Sequence, residues 1–261
     1  MDSATYTTQL QAGLGLVPET QKLLALWTPE LGGQDLYKAA LSSGRFSNVT
    51  ARRLRNIVLE GFGPRYLVEN GKPALLLKTV LGKMSKADFR TLCFVFTCRA
   101  NTVLGDFVRQ VYWPAYSAGK SSLNKREALS FVRAAVSNGL TFAPWSESTI
   151  SRVAGYLLGA CADFGLLGPN KAGVRSIESF RISPTVASFL AHELHFQGLG
   201  DNALLRRIEW EWFGLDSKDA LEELKRLSLR GEVVVQSAAR STRVSWKYKS
   251  IEGLADGILK G

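Results

Sequence analysis

A mainly α-helical chain carrying short β-hairpins is predicted, and three observations predict it. Apolar residues recur at helical intervals over most of the 261 residues. Strict alternation is confined to short stretches, as where Val244, Trp246 and Tyr248 alternate with Arg243, Ser245, Lys247 and Lys249. Glycines, prolines and capping residues interrupt the pattern at helix-length spacing. The length suits two or three compact units, and 46% hydrophobic residues suffice for packed cores.

Residues 1–115 read as an all-helical basic domain. Thr20 precedes a helix through Trp27, which Thr28-Pro29 ends, and Leu31 to Leu41 forms a second. Asn48 to Gly61 is a third, with Leu54, Ile57 and Val58 inward and Arg52, Arg53, Arg55 and Asn56 outward. Gly71-Lys72-Pro73 begins a fourth that ends near Gly82. Ser85 caps a fifth, and Asn101 begins a sixth that stops before Pro114. Trp113 to Ser122, rich in small residues, reads as the linker.

Residues 121–200 read as a helix-turn-helix followed by a wing. Asn124 to Asn138 is helical, with Leu129, Val132 and Val136 on one face, and Gly139-Leu140 stops it. Pro144 to Thr149 opens a second helix. Its apolar stripe is Ile150, Val153, Ala154, Leu157, Leu158 and Cys161. The opposite face carries Ser148, Thr149, Ser151, Arg152 and Tyr156, concentrated in the first turns, where a recognition helix offers side chains to base edges and phosphates. Gly168 to Gly173 then leads to Ser179–Ser183 as a short hairpin, with Lys171 and Arg175 near its tip. Pro184 starts a further helix to about Gln197.

Residues 201–261 repeat that logic as a second small winged-helix-like unit. Leu204 to Phe213 and Ser217 to Leu229 are helices joined by Gly214-Leu215-Asp216. A hairpin of Glu232–Gln236 and Arg243–Lys249 follows, one face packed and the other a cationic ladder that includes Arg243 and Lys247.

The charge balance points to a polyanionic partner. Lys and Arg outnumber Asp and Glu by 33 to 23, giving +10 at pH 7. The surplus is uneven: 15 against 8 in residues 1–120, 7 against 5 in 121–200, and 11 against 10 in 201–261. The stretch that resembles a DNA reader is thus only mildly basic, and Arg52, Arg53 and Arg55 would widen its footprint. No apolar run is long enough to cross a bilayer, and the first residues lack the cationic start and apolar core of a signal peptide. A cytoplasmic location is the expectation. The odd set Cys93, Cys98 and Cys161 lies in apolar helical contexts and reads as buried reduced thiols.

Motifs for chemistry fail on spacing. Gly119-Lys120-Ser121 resembles the end of a phosphate-binding loop, but Pro114 stands where that loop needs a glycine. His192 and His195 flank Glu193-Leu194, yet a zinc-protease helix needs its histidines four apart with glutamate directly after the first. Carboxylate pairs such as Glu222-Glu223 and Glu209/Glu211 sit in charge-balanced helices. No catalytic residue, metal or cofactor is expected.

Several stretches together carry a family resemblance. They are Gly13-Leu14-Gly15-Leu16 with Glu19-Thr20, Leu23-Leu24 and Leu26-Trp27; Leu104-Gly105-Asp106-Phe107-Val108; Trp145 to Thr149 with Asp163 to Leu167; and Trp210, Trp212-Phe213-Gly214-Leu215 with Ser245 to Tyr248. The chain resembles the BrxA proteins of BREX bacteriophage-resistance systems. The resemblance spans nearly the whole chain but rests on packing and capping residues. It implies a helical N-terminal part similar to the NusB fold, winged-helix material after it, and a non-enzymatic DNA-binding component of a multi-protein defence locus. It transfers no contact residues.

The expected partner is double-stranded DNA, with RNA still open and other BREX proteins as further candidates; no membrane role is expected. The expected contacts are Arg52, Arg53, Arg55, Ser148, Thr149, Arg152, Lys171, Arg175, Arg243 and Lys247. Two alternatives stand beside this reading. One is a scaffold joining defence proteins, for which exposed Trp210 or Trp246 would speak. The other is a transcriptional regulator of the locus.

Overall fold

The computed structural model describes residues 5–238 and 241–259. It is mainly helical, with two small two-stranded antiparallel sheets. The first eight helices are α1 (Val17–Leu26), α2 (Gly33–Ser42), α3 (Ala51–Asn56), α4 (Gly63–Tyr66), α5 (Lys72–Val80), α6 (Lys86–Ala100), α7 (Thr102–Phe107) and α8 (Trp113–Ser117). Strand β1 (Ser122–Asn124), α9 (Lys125–Ser137), α10 (Glu147–Phe164), β2 (Val174–Ser176) and α11 (Pro184–Phe196) follow. The chain ends with α12 (Asp201–Leu204), α13 (Ile208–Glu211), α14 (Ser217–Leu229), β3 (Val233–Ala238), β4 (Ser241–Trp246) and α15 (Ile251–Leu259). Among the described residues no helix is long and apolar enough to cross a membrane.

The chain packs as two compact units whose borders fall inside α5 and α6. One takes the residues up to Lys78 with Cys93–Phe180; the other takes Thr79–Leu92 with the residues from Arg181 onward. Residues 121–180 therefore share a unit with the N-terminal helices, because α10 supplies part of their core.

In the first unit, aromatic rings tie successive helices together. Phe62 and Tyr66 lie 5.0 Å apart between centroids, and Phe94 of α6 meets Phe164 of α10 at 5.4 Å. Phe107 of α7 meets Phe131 of α9 edge-on at 5.5 Å. Every member of the apolar stripe foreseen for α10 is buried, along with Phe164. In α9 the buried stripe is Ala128, Val132 and Ala135, while Leu129 and Val136 are only half-buried. All three cysteines are free and buried.

Two prolines that should end helices do not. A π-helical turn, Ile57–Phe62, stands before Pro64, and another, Val108–Tyr112, stands before Pro114. In each, a residue donates its amide five positions back: Gly63 to Val58 O and Trp113 to Val108 O. The widened turn accommodates the proline ring and its missing donor, so the chain continues helically as α4 and α8. The proposed linker over Trp113–Ser122 is accordingly a helix and the start of a strand. Trp113 packs against Tyr112 and Tyr116 at 5.0 and 5.4 Å, and Ala115 is buried.

In the second unit, α11, α14 and α15 bury Phe189, Leu190, Leu194, Leu224, Leu227, Leu254 and Ala255 against Val233 and Val244. The predicted helix from Leu204 to Phe213 is broken into α12 and α13. The Trp210 indole donates to Leu204 O at 2.9 Å, and buried Glu209 accepts twice from Arg207, at 3.1 and 2.9 Å. The free edge of β4 is closed by side chains: Val244 N donates to Asp201 Oδ2 and Thr242 N to Asn202 Oδ1.

His192 is fully buried in this unit, its ring edge-on to Trp246 at 4.8 Å. Its Nδ1 lies 2.8 Å from Ser188 O, to which it donates. Burial pushes its pKa down from 6.5 to about 4. The unfolded chain therefore takes up the proton first. The neutral ring's stabilisation is complete above the ordinary value and is lost as pH falls toward the folded one. Lowering the pH to about 5 should cost about 2 kcal/mol through this group alone. Denaturant melts at neutral pH and near pH 5 check this, and in His192→Gln the difference between them should shrink by that amount.

Candidate nucleic-acid interface

A polar surface foreseen from the sequence lies at the start of α10. Asn124 caps α9 in a reciprocal pair with Glu127, and Ser146 caps α10 by accepting from Thr149 N at 3.3 Å. With the apolar stripe of α10 turned inward, its other face is left bare over the first turns. Ser148 and Arg152 are exposed and Thr149 half-exposed. The Arg152 guanidinium reaches Thr149 Oγ1 at 3.3 Å, and the Ser146 hydroxyl lies 3.0 Å from that of Ser148.

The flanking charges favour an anion. Lys125, in the first turn of α9, donates to Ser151 Oγ at 2.8 Å, which sets a cation beside the exposed face of α10. Arg126 follows it and is exposed. Glu147, the first residue of α10, is held by Arg133 at 2.8 Å, and that pairing keeps its carboxyl below the usual range. Lys125 and Arg126 were missed from sequence. Their signal was their place directly after the capping Asn124, at the start of the helix that precedes α10.

The segment behind α10 is a strand pairing that closes over a long loop. Strand β2 pairs with β1, Leu123 opposite Arg175, and Leu167 bridges Ile177. The second strand is thus Val174–Ser176 and not Ser179–Ser183, because its partner is the distant Ser122–Asn124. Its turn is Lys171-Ala172-Gly173-Val174, with Lys171 N to Val174 O at 2.9 Å and φ of 51° and 84° at the central pair. That is the mirror-image hairpin turn that matches strand twist. Lys171 stands exposed at the tip. Arg175 does not: it is half-buried, and its guanidinium donates to Gly168 O at 3.0 Å, bracing the hairpin.

Arg52, Arg53 and Arg55 are exposed on α3. Arg53 lines a cavity of about 410 Å³ together with Leu14, Glu19 and Asp163. Asp163 lies roughly 16 Å further along α10 than Arg152, at 1.5 Å per residue. Through Arg53, this cluster borders the far end of α10.

In the second unit, Arg243 and Lys247 are exposed on the outer face of the hairpin, as the alternation foretold. Trp246 faces the other way and stacks on His195 at 4.4 Å. The exposed side of α14 is neutralised internally, by Lys225 with Glu222 at 2.7 Å and Arg226 with Glu223. Among the described residues no three His, Cys, Asp or Glu side chains gather as a metal site.

These features define a mainly helical protein in which the capped helix α10 keeps a polar, cation-flanked face open. The BrxA family model matches residues 4–193. The chain belongs to the BrxA family, which supports a BREX phage-resistance context. A solved structure described as an uncharacterized protein from Magnetospirillum magneticum is similar, with a TM-score of 0.58 and 22% identity, covering 78% of this chain and 97% of that one. At that identity the likeness shows a shared fold. No curated protein sequence matches the chain.

Proposed function

We propose that this chain is a non-enzymatic, double-stranded-DNA-binding component of a BREX-type defence system, with α10 as its reading helix. The bare first turns of α10, carrying Ser148, Thr149 and Arg152, are the observation that carries this reading. The chain order supports it: β1, α9, α10, then a hairpin whose last strand returns to β1, is the order of a winged helix. In this reading Arg152 and Lys125 meet phosphates beside the groove, and Lys171 meets one from the wing.

The test is a fluorescence-anisotropy titration with a duplex at two salt concentrations. Three neutralised phosphates give a log–log slope of about −2.7, hence roughly a 40-fold loss between about 50 and 200 mM salt. Absence of binding to duplex DNA at the lower salt would overturn the proposal. The scaffold alternative draws less support, because Trp210 is buried and Trp246 is stacked on His195.

A further inference from the structure

The loop between α9 and α10 holds one side chain that neither the core nor the polar face explains. Phe142 is 97% exposed. Its backbone is not slack. One residue earlier, Thr141 forms a bridge with Tyr6, whose amide donates to Leu140 O at 2.7 Å and whose hydroxyl donates to Asp106 at 2.7 Å. Pro144 stiffens the middle of the loop, and Ser146 closes it as the cap of α10. A loop clamped at both ends thus holds a phenyl ring out in water, beside the end of α10 that carries Ser148 and Arg152.

We infer that Phe142 reads the C5-methyl groups of thymine in the major groove; this rests on α10 being the DNA-reading helix. Such a helix offers its N-terminal end to base edges, and the turn before it lies at that same end. On the major-groove floor the thymine methyl is the apolar group suited to a phenyl ring. A protein partner would need a contiguous apolar patch of several hundred Å². One phenylalanine supplies about 200 Å², and exposed Ala143 and Pro144 with half-exposed Trp145 extend it only as a short run along the loop. The ring fits a base edge, and its place just before the N-terminus of α10 puts it where such an edge would be read.

The experiment compares two duplexes of equal length, alternating dA·dT and alternating dA·dU, with the wild-type chain and with Phe142→Ala. Their only difference is the methyl group, present in every register. The wild type should bind the uracil duplex about fourfold more weakly, the size of one buried methyl-sized contact. Phe142→Ala should bind both alike, with an unchanged melting temperature because the ring buries nothing. Equal binding of both duplexes by the wild type overturns the inference and leaves DNA binding standing. So does discrimination that persists in Phe142→Ala. An equal loss on both duplexes in the variant also overturns it, and points instead to stacking between bases. Failure of the wild type to bind either duplex removes the inference together with the reading beneath it.

Discussion

Arg152→Glu should weaken duplex binding by about a hundredfold while leaving the fold intact. The substitution removes one cationic contact and places an anion against the phosphates, and a single arginine contact of this kind is worth roughly one to two powers of ten. The side chain is exposed, and its one hydrogen bond, 3.3 Å to Thr149, is long. Glutamate is as good a helix former as arginine, so stability should stay within about 0.5 kcal/mol. The salt dependence separates this from a general loss of structure: the log–log slope should become shallower by about 1. Arg152→Lys keeps the charge and loses the fork, so its slope should match the wild type with a smaller loss of affinity. A well-folded Arg152→Glu with unaltered affinity would remove α10 from the contact surface.

The exposed polar face of α10 was legible in the sequence because it depends on local pattern. The stripe from Ile150 to Cys161 fixes which side of α10 is buried, and the caps at Asn124 and Ser146 fix where each helix starts. Once those are set, Ser148 and Arg152 are left exposed and Thr149 half-exposed. The β4 alternation was readable for the same reason, and it left Arg243 and Lys247 outside.

What could not be read depends on partners distant in the chain. Strand β2 is three residues long and exists by pairing with Ser122–Asn124, so no local periodicity announces it. Arg175 looks like any wing cation until Gly168 O is found within its reach. The helices that pass Pro64 and Pro114 need a π turn, and that has no sequence signature of its own. Phe142 was invisible for the opposite reason: an apolar residue between two amphipathic helices reads as core, and only its exposure shows otherwise.

Arg65→Ala should lower stability by about 4 kcal/mol, near 10 °C in melting temperature for a chain of this size. Arg65, in α4, is a buried guanidinium, held below its usual pKa range chiefly by that burial. It donates to Gly13 O at 2.5 Å and to Gly15 O at 3.4 Å, just before Leu16 turns left-handed to start α1. The same segment lies on the C-terminal half of α10. Gly15 N donates to Asp163 at 2.9 Å, and a Cβ on Gly159 would meet Leu14 Cδ1 at 2.4 Å. Arg65 therefore fastens this segment, and alanine would leave a cavity and two buried carbonyls without a donor. Removing the desolvated charge offsets part of that cost. Arg65→Met, which keeps the volume, should accordingly lose only about half as much. Equal melting temperatures for the two variants would show that the cavity is immaterial, and an alanine variant as stable as the wild type would show that the fastening is. Below its melting temperature Arg65→Ala should still bind duplex DNA normally, because the bare face of α10 lies at the other end of the helix. Stability and binding would then be separable along one helix, the far half secured by Arg65 and the near half left free for the partner.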